Sequence, residues 1–166
     1  MQAGIIFCTA RRTSVCQKLL SRTFGWFGLH VGGVRACAAP ERLNGSIAAL
    51  LKTSAAVCVL SPEADGRPEC AAPVFTTLKI PMDAKGEPRG VMKLCGRAAA
   101  GYLIESSNQA ILLLPDDPCE LLKMLPAACA RLKEKFELEG EIPVREVPDL
   151  EALVTGSFEH GEAGAV

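Results

Sequence analysis

The chain has 166 residues, a length that suits a single domain of ordinary size. Hydrophobic residues make up 49% of the chain and aromatic residues only 5%, so the core has to be built from aliphatic side chains and cysteine. The net charge of -1 gives no reason to expect a nucleic-acid partner, and no apolar run is long enough to span a membrane.

The first part of the chain alternates between strand-like and helix-like patterns. Three short apolar runs predict strands: residues 4–10, 29–38 and 55–60. After the first run, Thr13 or Ser14 is suited to cap a helix that ends near Gly25. After the second run, Pro40 suits the first position of another helix, because a missing amide costs nothing there.

The second part of the chain contains more turn-forming residues before the regular pattern returns. Prolines, a glycine and short polar side chains predict a loop over residues 61–73. Four later segments predict strands: residues 74–80, 91–96, 101–106 and 109–115. Asp117, Pro118 and Glu120 then match an N-cap, a first helical position and a capping box. The helix that follows is predicted to end near residue 136.

The order of these elements predicts an α/β fold, a three-layer sandwich around a mostly parallel sheet. In such folds, ligands bind at the carboxyl ends of the strands. Three loops follow such ends, at residues 9–14, 61–66 and 115–118, and we expect them to lie along a common rim. Residues 1–136 form the predicted domain. The acidic, proline-containing residues 137–166 form a predicted tail that lays a short strand or helix on the domain.

Eight cysteines are spread along the chain, and we expect them to be reduced thiols of a cytoplasmic protein. Residues 1–7 are too short for the apolar region of a secretory signal. Several cysteines lie inside apolar runs, where cysteine behaves as a small hydrophobic residue. No C-x-x-C pair occurs and the chain has only two histidines, so no structural metal site is expected.

The last predicted strands and helix contain two linked motifs. In GYLIESSNQAILLLP, a Gly-aromatic strand is followed by a turn and an apolar strand. In LPDDPCELLKM, a Leu-Pro pair precedes two aspartates, a proline, a Glu-Leu pair and a methionine. Together they resemble molybdopterin-binding domains, in particular the CinA-like branch, whose usual form is Leu-Pro-Gly-x-Pro, Glu-Met and a second Met. The resemblance covers residues 4–136 and implies that fold, molybdopterin as a ligand, and a homo-oligomer, either a trimer or a dimer.

Several positions depart from the family pattern. After the third strand the family has Thr-Gly-Gly and a further Gly, which let backbone amides approach a phosphate or a pterin. Here residues 61–66 keep one glycine and add two carboxylates. The first loop lacks the family's Gly-Asp-Glu, and Asp116 replaces the Gly of Leu-Pro-Gly. The scaffold is mostly kept and the site is mostly changed, so no catalytic residue is carried over.

Six residues are the candidate ligand contacts of the predicted rim: Arg11, Arg12, Thr13, Ser14, Ser61 and Asp116. A helix start with free amides, hydroxyls and two guanidinium groups is suited to bind an anion. The alternative is a capped helix with solvated arginines. Asp116 and Asp117 could also hold a metal with Glu63 or Asp65, although helix capping accounts for Asp117. Carboxylates at an anion pocket would instead reject phosphate.

Three functional hypotheses follow. The first is a binding domain for a small pterin or nucleotide-phosphate ligand at the strand-end loops, with neither nucleic acid nor membrane as a partner. The second is a degenerate, non-catalytic relative that serves in assembly. The third is an enzyme of molybdenum cofactor biosynthesis or a CinA-like nucleotide hydrolase, and the missing glycines count against it. The sequence does not decide whether the chain is an enzyme.

Overall fold

The computed structural model of the protein describes residues 1–141. Within them there are eight strands: β1 (Gln2–Cys8), β2 (His30–Cys37), β3 (Ala56–Ser61), β4 (Glu63–Ala64), β5 (Arg67–Pro68), β6 (Met92–Cys95), β7 (Ala100–Glu105) and β8 (Ala110–Pro115). The same residues form four α-helices: α1 (Thr13–Gly25), α2 (Leu43–Leu51), α3 (Ala71–Thr77) and α4 (Pro118–Phe136). A 3₁₀ turn, Pro40–Arg42, leads into α2.

Six of the strands form one sheet in the order β2-β1-β3-β8-β7-β6. Neighbours from β2 to β8 run parallel, whereas β7 is antiparallel to both β8 and β6. β4 and β5 form a separate two-stranded hairpin. Parallel neighbours need long crossover connections, which here contain helices. The predicted α/β class with a largely parallel sheet is confirmed.

Helices cover both faces of the sheet, which makes the fold a three-layer sandwich. On one face, α1 and α4 pack through Leu20, Phe24 and Leu121 onto alternate residues of the strands. On the other face, α2 and α3 pack through Ile47 and Phe75 onto the intervening residues. All positions of β3 and β8 are buried. Their uninterrupted apolar sequences are therefore a consequence of burial on both faces.

The strand predicted for residues 74–80 is wrong, since α3 occupies most of that segment. Ala71, Val74 and Phe75 are buried and stand at positions i, i+3 and i+4, which is helical spacing. The apparent alternation in VFTTLKI concealed this helical spacing, because Ala71, the first of the three buried residues, precedes that segment. Pro73 is tolerated in the first turn, where its missing amide has no helical partner.

The predicted turns around the antiparallel strands are confirmed. β6 and β7 pair across a turn at residues 96–99. Between β7 and β8, the amide of Ser106 donates to the carbonyl oxygen of Gln109 at 3.0 Å. β2 also forms as predicted, and Gly32 is an extra residue in its pairing with β1, because the register shifts there. Glycine in a strand is typical of such a bulge.

After α4 the chain returns across the end of α1. Lys133 Nζ donates to the carbonyl oxygen of Gly140 at 2.6 Å. A Cβ added to Gly140 would lie 2.0 Å from the carbonyl oxygen of Trp26, so the two backbones are in direct contact. The strand or helix predicted for the tail falls on residues outside the described part of the chain, and the division into domain and tail stays a prediction. No helix within residues 1–141 is long and apolar enough to cross a membrane.

Candidate functional site

The loops that follow β1, β3 and β8 meet at one edge of the sheet. The backbone amide of Arg11 donates to Asp116 Oδ2 at 2.7 Å. The amide of Asp116 donates in turn to the carbonyl oxygen of Ser61 at 2.9 Å. The common rim expected from the sequence is therefore present, and Asp116 joins its three loops. We use the term rim for this edge, formed by residues 11–14, Ser61 and Asp116.

The start of α1 lies on the rim without a side-chain cap. Arg12 is the N-cap residue, and no side chain accepts a hydrogen bond there. The predicted capping by Thr13 or Ser14 is wrong, because both lie inside the first turn, where side chains point back toward the N-terminus. The first turn also contains no acidic residue. The amides of residues 13–15 therefore lack a helical partner, and all three residues are exposed.

Arg12 and Asp117 form an ion pair beside this helix start. Arg12 Nη1 lies 3.2 Å from Asp117 Oδ2, with side-chain exposures of 61% and 39%. Asp117 Oδ1 accepts from the amide of Cys119 at 2.8 Å, which confirms its predicted role as the cap of α4. An ion pair this exposed contributes little stability. Two arginines and two aspartates thus lie together on or next to the rim, and a bound anion would compete with carboxylates already present.

Ser61 lies at the rim but faces inward. The residue is 1% exposed, and its Oγ accepts from the backbone amide of Cys70 at 3.0 Å. This bond fixes the start of α3 against the end of β3. Its hydroxyl therefore has a structural partner, and its carbonyl oxygen is held by Asp116. Of the six candidate residues, the arginines, Thr13 and Ser14 are exposed, whereas Ser61 is not.

Glu120 holds the turn between β6 and β7 against the first turn of α4. Its carboxylate accepts from the backbone amides of Arg97, Ala98 and Ala99 at 2.7, 3.0 and 3.3 Å. The capping box predicted for Glu120 is wrong, because the carboxylate binds this distant turn. Three successive amides around an oxyanion form a nest of the kind that binds anions. Here the protein fills the nest with its own buried side chain.

Sequence reasoning missed this arrangement, and Gly96 is what makes room for it. A Cβ added to Gly96 would lie 1.8 Å from Glu120 Oε2 and 2.8 Å from the carbonyl oxygen of Ala99. The only signal in the sequence is the run Gly-Arg-Ala-Ala, which offers successive amides and no side-chain acceptor for them. Nothing local identifies the acceptor, because Glu120 is 21 to 23 residues further along the chain.

Comparison with known proteins identifies the fold. No protein-family model and no curated protein matches the chain. The solved structure of CinA, a protein of unknown function from Thermoplasma acidophilum, aligns with a TM-score of 0.61 and 12% identity, covering 81% of this chain and 97% of that one. MogA aligns with a TM-score of 0.53 and 14% identity, covering 82% and 98%. A molybdenum cofactor biosynthesis protein from Corynebacterium diphtheriae aligns with a TM-score of 0.55 and 15% identity, covering 82% and 96%. The chain has the CinA- and MogA-like fold.

Three motif positions of the resemblance have packing roles in this CinA- and MogA-like fold. Gly101, which precedes the aromatic residue of β7, lies under α4. A Cβ added there would lie 2.9 Å from Met124 Sδ and 3.0 Å from the carbonyl oxygen of Leu113. Met124 is fully buried, so this glycine and the methionine of the helix fit each other. Tyr102 points to the opposite face, where its ring meets Phe75 edge-on at 5.1 Å between centroids.

The carboxylates near the rim do not assemble into a metal site. Within residues 1–141, no group of three histidine, cysteine or acidic side chains is placed to hold a metal. Asp116 and Asp117 are engaged by Arg11 and by the start of α4. Glu63 Oε1 accepts from the amide of Gly66, its neighbour across the β4–β5 turn. Glu63 thus stabilises its own turn, whereas Asp116 links two loops of the rim.

A separate cleft of about 420 Å³ lies at the opposite end of the sheet, where β8 begins. Its walls are mostly apolar and include Leu78, which is 46% exposed, together with Ile104 and Ile111. Arg89 and Glu105 provide charge at its margin. None of the six candidate residues lines it, so the cleft is distinct from the rim.

The eight cysteines are free thiols, and all but Cys95 and Cys119 are buried. Burial, together with the negative charges of Asp116 and Asp117, raises the pKa of Cys16 to about 11. Burial and the neighbouring Cys37 raise the pKa of Cys8 to about 11 as well. Because the thiolate is the reactive form, buried thiols with raised pKa values react slowly. Cys8 is buried, as expected for a cysteine inside an apolar run, whereas Cys119 is exposed.

Thiol labelling is expected to separate these two classes. At pH 8 an aromatic disulfide reagent is expected to modify two thiols of the native chain within minutes, because only Cys95 and Cys119 are accessible. The other six are expected to react only after unfolding in denaturant. Mass spectrometry of peptides identifies the modified positions. Rapid modification of Cys8 or Cys16 in the native chain would contradict their burial.

Proposed function

We propose that the protein is a binding domain of this fold whose rim takes the phosphate of a pterin or a nucleotide, with molybdopterin as the first ligand to test. The observation that carries the proposal is the uncapped, exposed start of α1 next to Arg11 and Arg12. The neighbour from Corynebacterium diphtheriae, which is named for molybdenum cofactor biosynthesis, supports molybdopterin as the ligand class.

The chemistry of the rim suits an oxyanion. The N-terminal end of a helix carries about half a positive charge, and its free amides point toward a bound anion. Arg12 adds a guanidinium group that can bind phosphate through two hydrogen bonds. The contact between the Arg11 amide and the Asp116 carboxylate supports the proposal, because this amide already donates to a carboxylate oxygen at 2.7 Å and is therefore directed toward an anion. A phosphate oxygen would replace or adjoin that carboxylate oxygen.

Thermal unfolding in the presence of candidate ligands tests the proposal. Molybdopterin, ATP or pyrophosphate at a hundred times its dissociation constant is expected to add about 2.7 kcal/mol of stability, which raises Tm by about 5–10 °C. Arg12→Ala is expected to abolish the shift. Arg22→Ala, at the other end of α1, is the matched control and is expected to keep it. The absence of a shift with all three ligands, or equal losses in both variants, would contradict binding at the rim.

Removal of the Asp116 charge is expected to strengthen anion binding. Asp116→Asn keeps the shape of the side chain but removes a negative charge from the rim, and we expect about tenfold tighter binding of pyrophosphate or ATP, or about 1.4 kcal/mol. Titration calorimetry at fixed ionic strength measures the change. Glu134→Gln makes the same change of charge near the far end of α4 and is expected to leave affinity unchanged. Weaker binding in Asp116→Asn would show that the carboxylate organises the rim and does not oppose the ligand.

A second candidate function is assembly without a ligand. Two contacts favour it, because the Arg11 amide and the Arg12 guanidinium group are already paired with Asp116 and Asp117. Under this proposal the hydrogen-bond donors of the rim are already paired with the protein's own carboxylates, and the chain acts as a subunit of a dimer or trimer. Light scattering that finds a stable oligomer, combined with no thermal shift at saturating ligand, would support assembly over binding.

A further inference from the structure

The cleft at the start of β8 exists because two short helices leave one face of the sheet partly uncovered. On one face, α1 and α4 have 13 and 19 residues, whereas α2 and α3 on the other face have 9 and 7. At 1.5 Å per residue, α3 spans only about 11 Å. The apolar core between α2, α3 and the sheet therefore ends in four partly buried side chains that line the cleft: Leu51, Ile80, Val91 and Ile104.

A smaller apolar cavity adjoins the cleft between α2 and α3. This cavity has a volume of about 190 Å³ and shares the side chains of Leu51, Leu78 and Ile111 with the cleft. Two of its lining residues are polar, and they bind each other, because Asn44 Nδ2 donates to Thr77 Oγ1 at 2.7 Å. The cleft and the cavity together offer an elongated apolar space, which suits an extended alkyl chain better than a compact polar molecule.

Two charged residues line the cleft, and only one of them is paired within residues 1–141. Glu105 is bound to α4, on the opposite face of the sheet, where Arg131 Nε lies 2.9 Å from Oε2 and Lys135 Nζ lies 3.7 Å from Oε1. Arg89 belongs to none of the ion pairs that the described residues form. An exposed guanidinium group beside apolar walls complements a carboxylate, which it can bind through two parallel hydrogen bonds.

The loop that carries Arg89 is held in one conformation by its own hydrogen bonds. The backbone amide of Arg89 donates to the carbonyl oxygen of Pro81 at 2.8 Å. Within the same loop, Asp83 Oδ1 accepts from the amide of Glu87 at 2.9 Å. Arg67 ties the loop to β5 through an ion pair with Glu87 at 3.0 Å. The backbone of Arg89 therefore loses little conformational entropy when a ligand binds, which favours binding.

We infer that the cleft binds a small, free monocarboxylate with an alkyl chain. The carboxylate pairs with the guanidinium group of Arg89, and the chain covers Leu78 and Ile104 and extends past Ile111 toward the smaller cavity. The single unpaired cation among the lining residues matches a ligand with a single carboxylate. The inference is independent of what the rim binds, because none of the six rim candidates lines the cleft.

Titration of the full-length chain with octanoate and with octanol, followed by the NMR shifts of its backbone amides, tests the inference. Both probes are expected to shift the amide of Ile111, and octanoate is expected to bind about fivefold more tightly, the gain from one exposed ion pair. Arg89→Gln is expected to remove this gain, which weakens octanoate about fivefold and leaves octanol unchanged.

Two further variants separate the apolar walls from the rim. Leu78→Ser changes a side chain that is 46% exposed, so the fold tolerates it, and it is expected to weaken both probes by at least about fivefold. Arg12→Gln is the matched control for Arg89→Gln, because it removes the same charge from the rim. It is expected to leave the binding of both probes unchanged.

Three results would overturn the inference. The first is that neither probe shifts the cleft amides of the unmodified protein at millimolar concentration, which needs no variant and so holds even if a variant fails to fold. The second is equal affinity for octanoate and octanol, or equal losses of octanoate binding in Arg89→Gln and Arg12→Gln. The third is that the cleft amides shift with protein concentration and not with either probe, which would assign the cleft to a second copy of the chain.

Discussion

Replacement of Glu120 by alanine is expected to lower the free energy of unfolding by about 4 kcal/mol. The side chain is 8% exposed and accepts three backbone hydrogen bonds, so its loss leaves the amides of Arg97, Ala98 and Ala99 without partners in a partly buried turn. Glu120→Gln is expected to cost about 2 kcal/mol, because one carboxamide oxygen remains while the amino group faces donors. Urea denaturation followed by the fluorescence of Trp26 measures both values.

Glu134→Ala provides the control on the same helix. Glu134 has a side chain that is 74% exposed and pairs with Arg131, so its removal is expected to cost at most about 0.5 kcal/mol. If Glu120→Ala and Glu134→Ala lowered the free energy of unfolding equally, the three hydrogen bonds of Glu120 would make no net contribution to stability. The turn between β6 and β7 would then be held by packing alone.

Replacement of Gly96 by alanine is expected to destabilise the protein by about 3 kcal/mol. The new Cβ would lie 1.8 Å from Glu120 Oε2, so the carboxylate has to leave its nest. Because both changes disrupt the same contact, their effects are expected to be far from additive. In a Glu120→Ala background, Gly96→Ala is expected to cost only about 1 kcal/mol, owing to the remaining approach to Ala99 and Met124.

A double-mutant cycle in urea measures this coupling. Gly45→Ala is the control, since nothing lies within 4 Å of the Cβ position at Gly45 in the first turn of α2, and it is expected to be neutral or stabilising. Additive losses from Gly96→Ala and Glu120→Ala would contradict the close approach of the two residues.

The parts of the fold that sequence predicted correctly are those in which local pattern and tertiary burial agree. β3 and β8 are buried on both faces, so their sequences are continuous apolar runs of strand length. The start of α4 combines an N-cap aspartate with a proline that costs nothing in the first position, and Asp117 does cap the helix. α3 was missed because a short helix with two β-branched threonines near its end imitates alternation.

The site was predictable as a location but not in its contacts. The common rim follows from parallel topology, because the carboxyl ends of β1, β3 and β8 must lie at one edge. The contact between Arg11 and Asp116 joins residues 105 positions apart, and no local pattern specifies it. Glu120 shows the same limit, since a first-turn glutamate has the same local signature whether it caps its own helix or binds a distant turn.

The pairing of β3 with β8 has a consequence for how the chain acquires its structure. Ala56 pairs with Ala110, so this central contact closes a loop of 54 residues (110 minus 56). Contacts between residues so far apart in sequence form late, because the chain loses conformational entropy on closing the loop before strand pairing stabilises it. During synthesis, the apolar edge of β3 that pairs with β8 therefore stays unpaired until residues 110–115 have left the ribosome. Nascent chains that stall before that point would be prone to edge-to-edge aggregation.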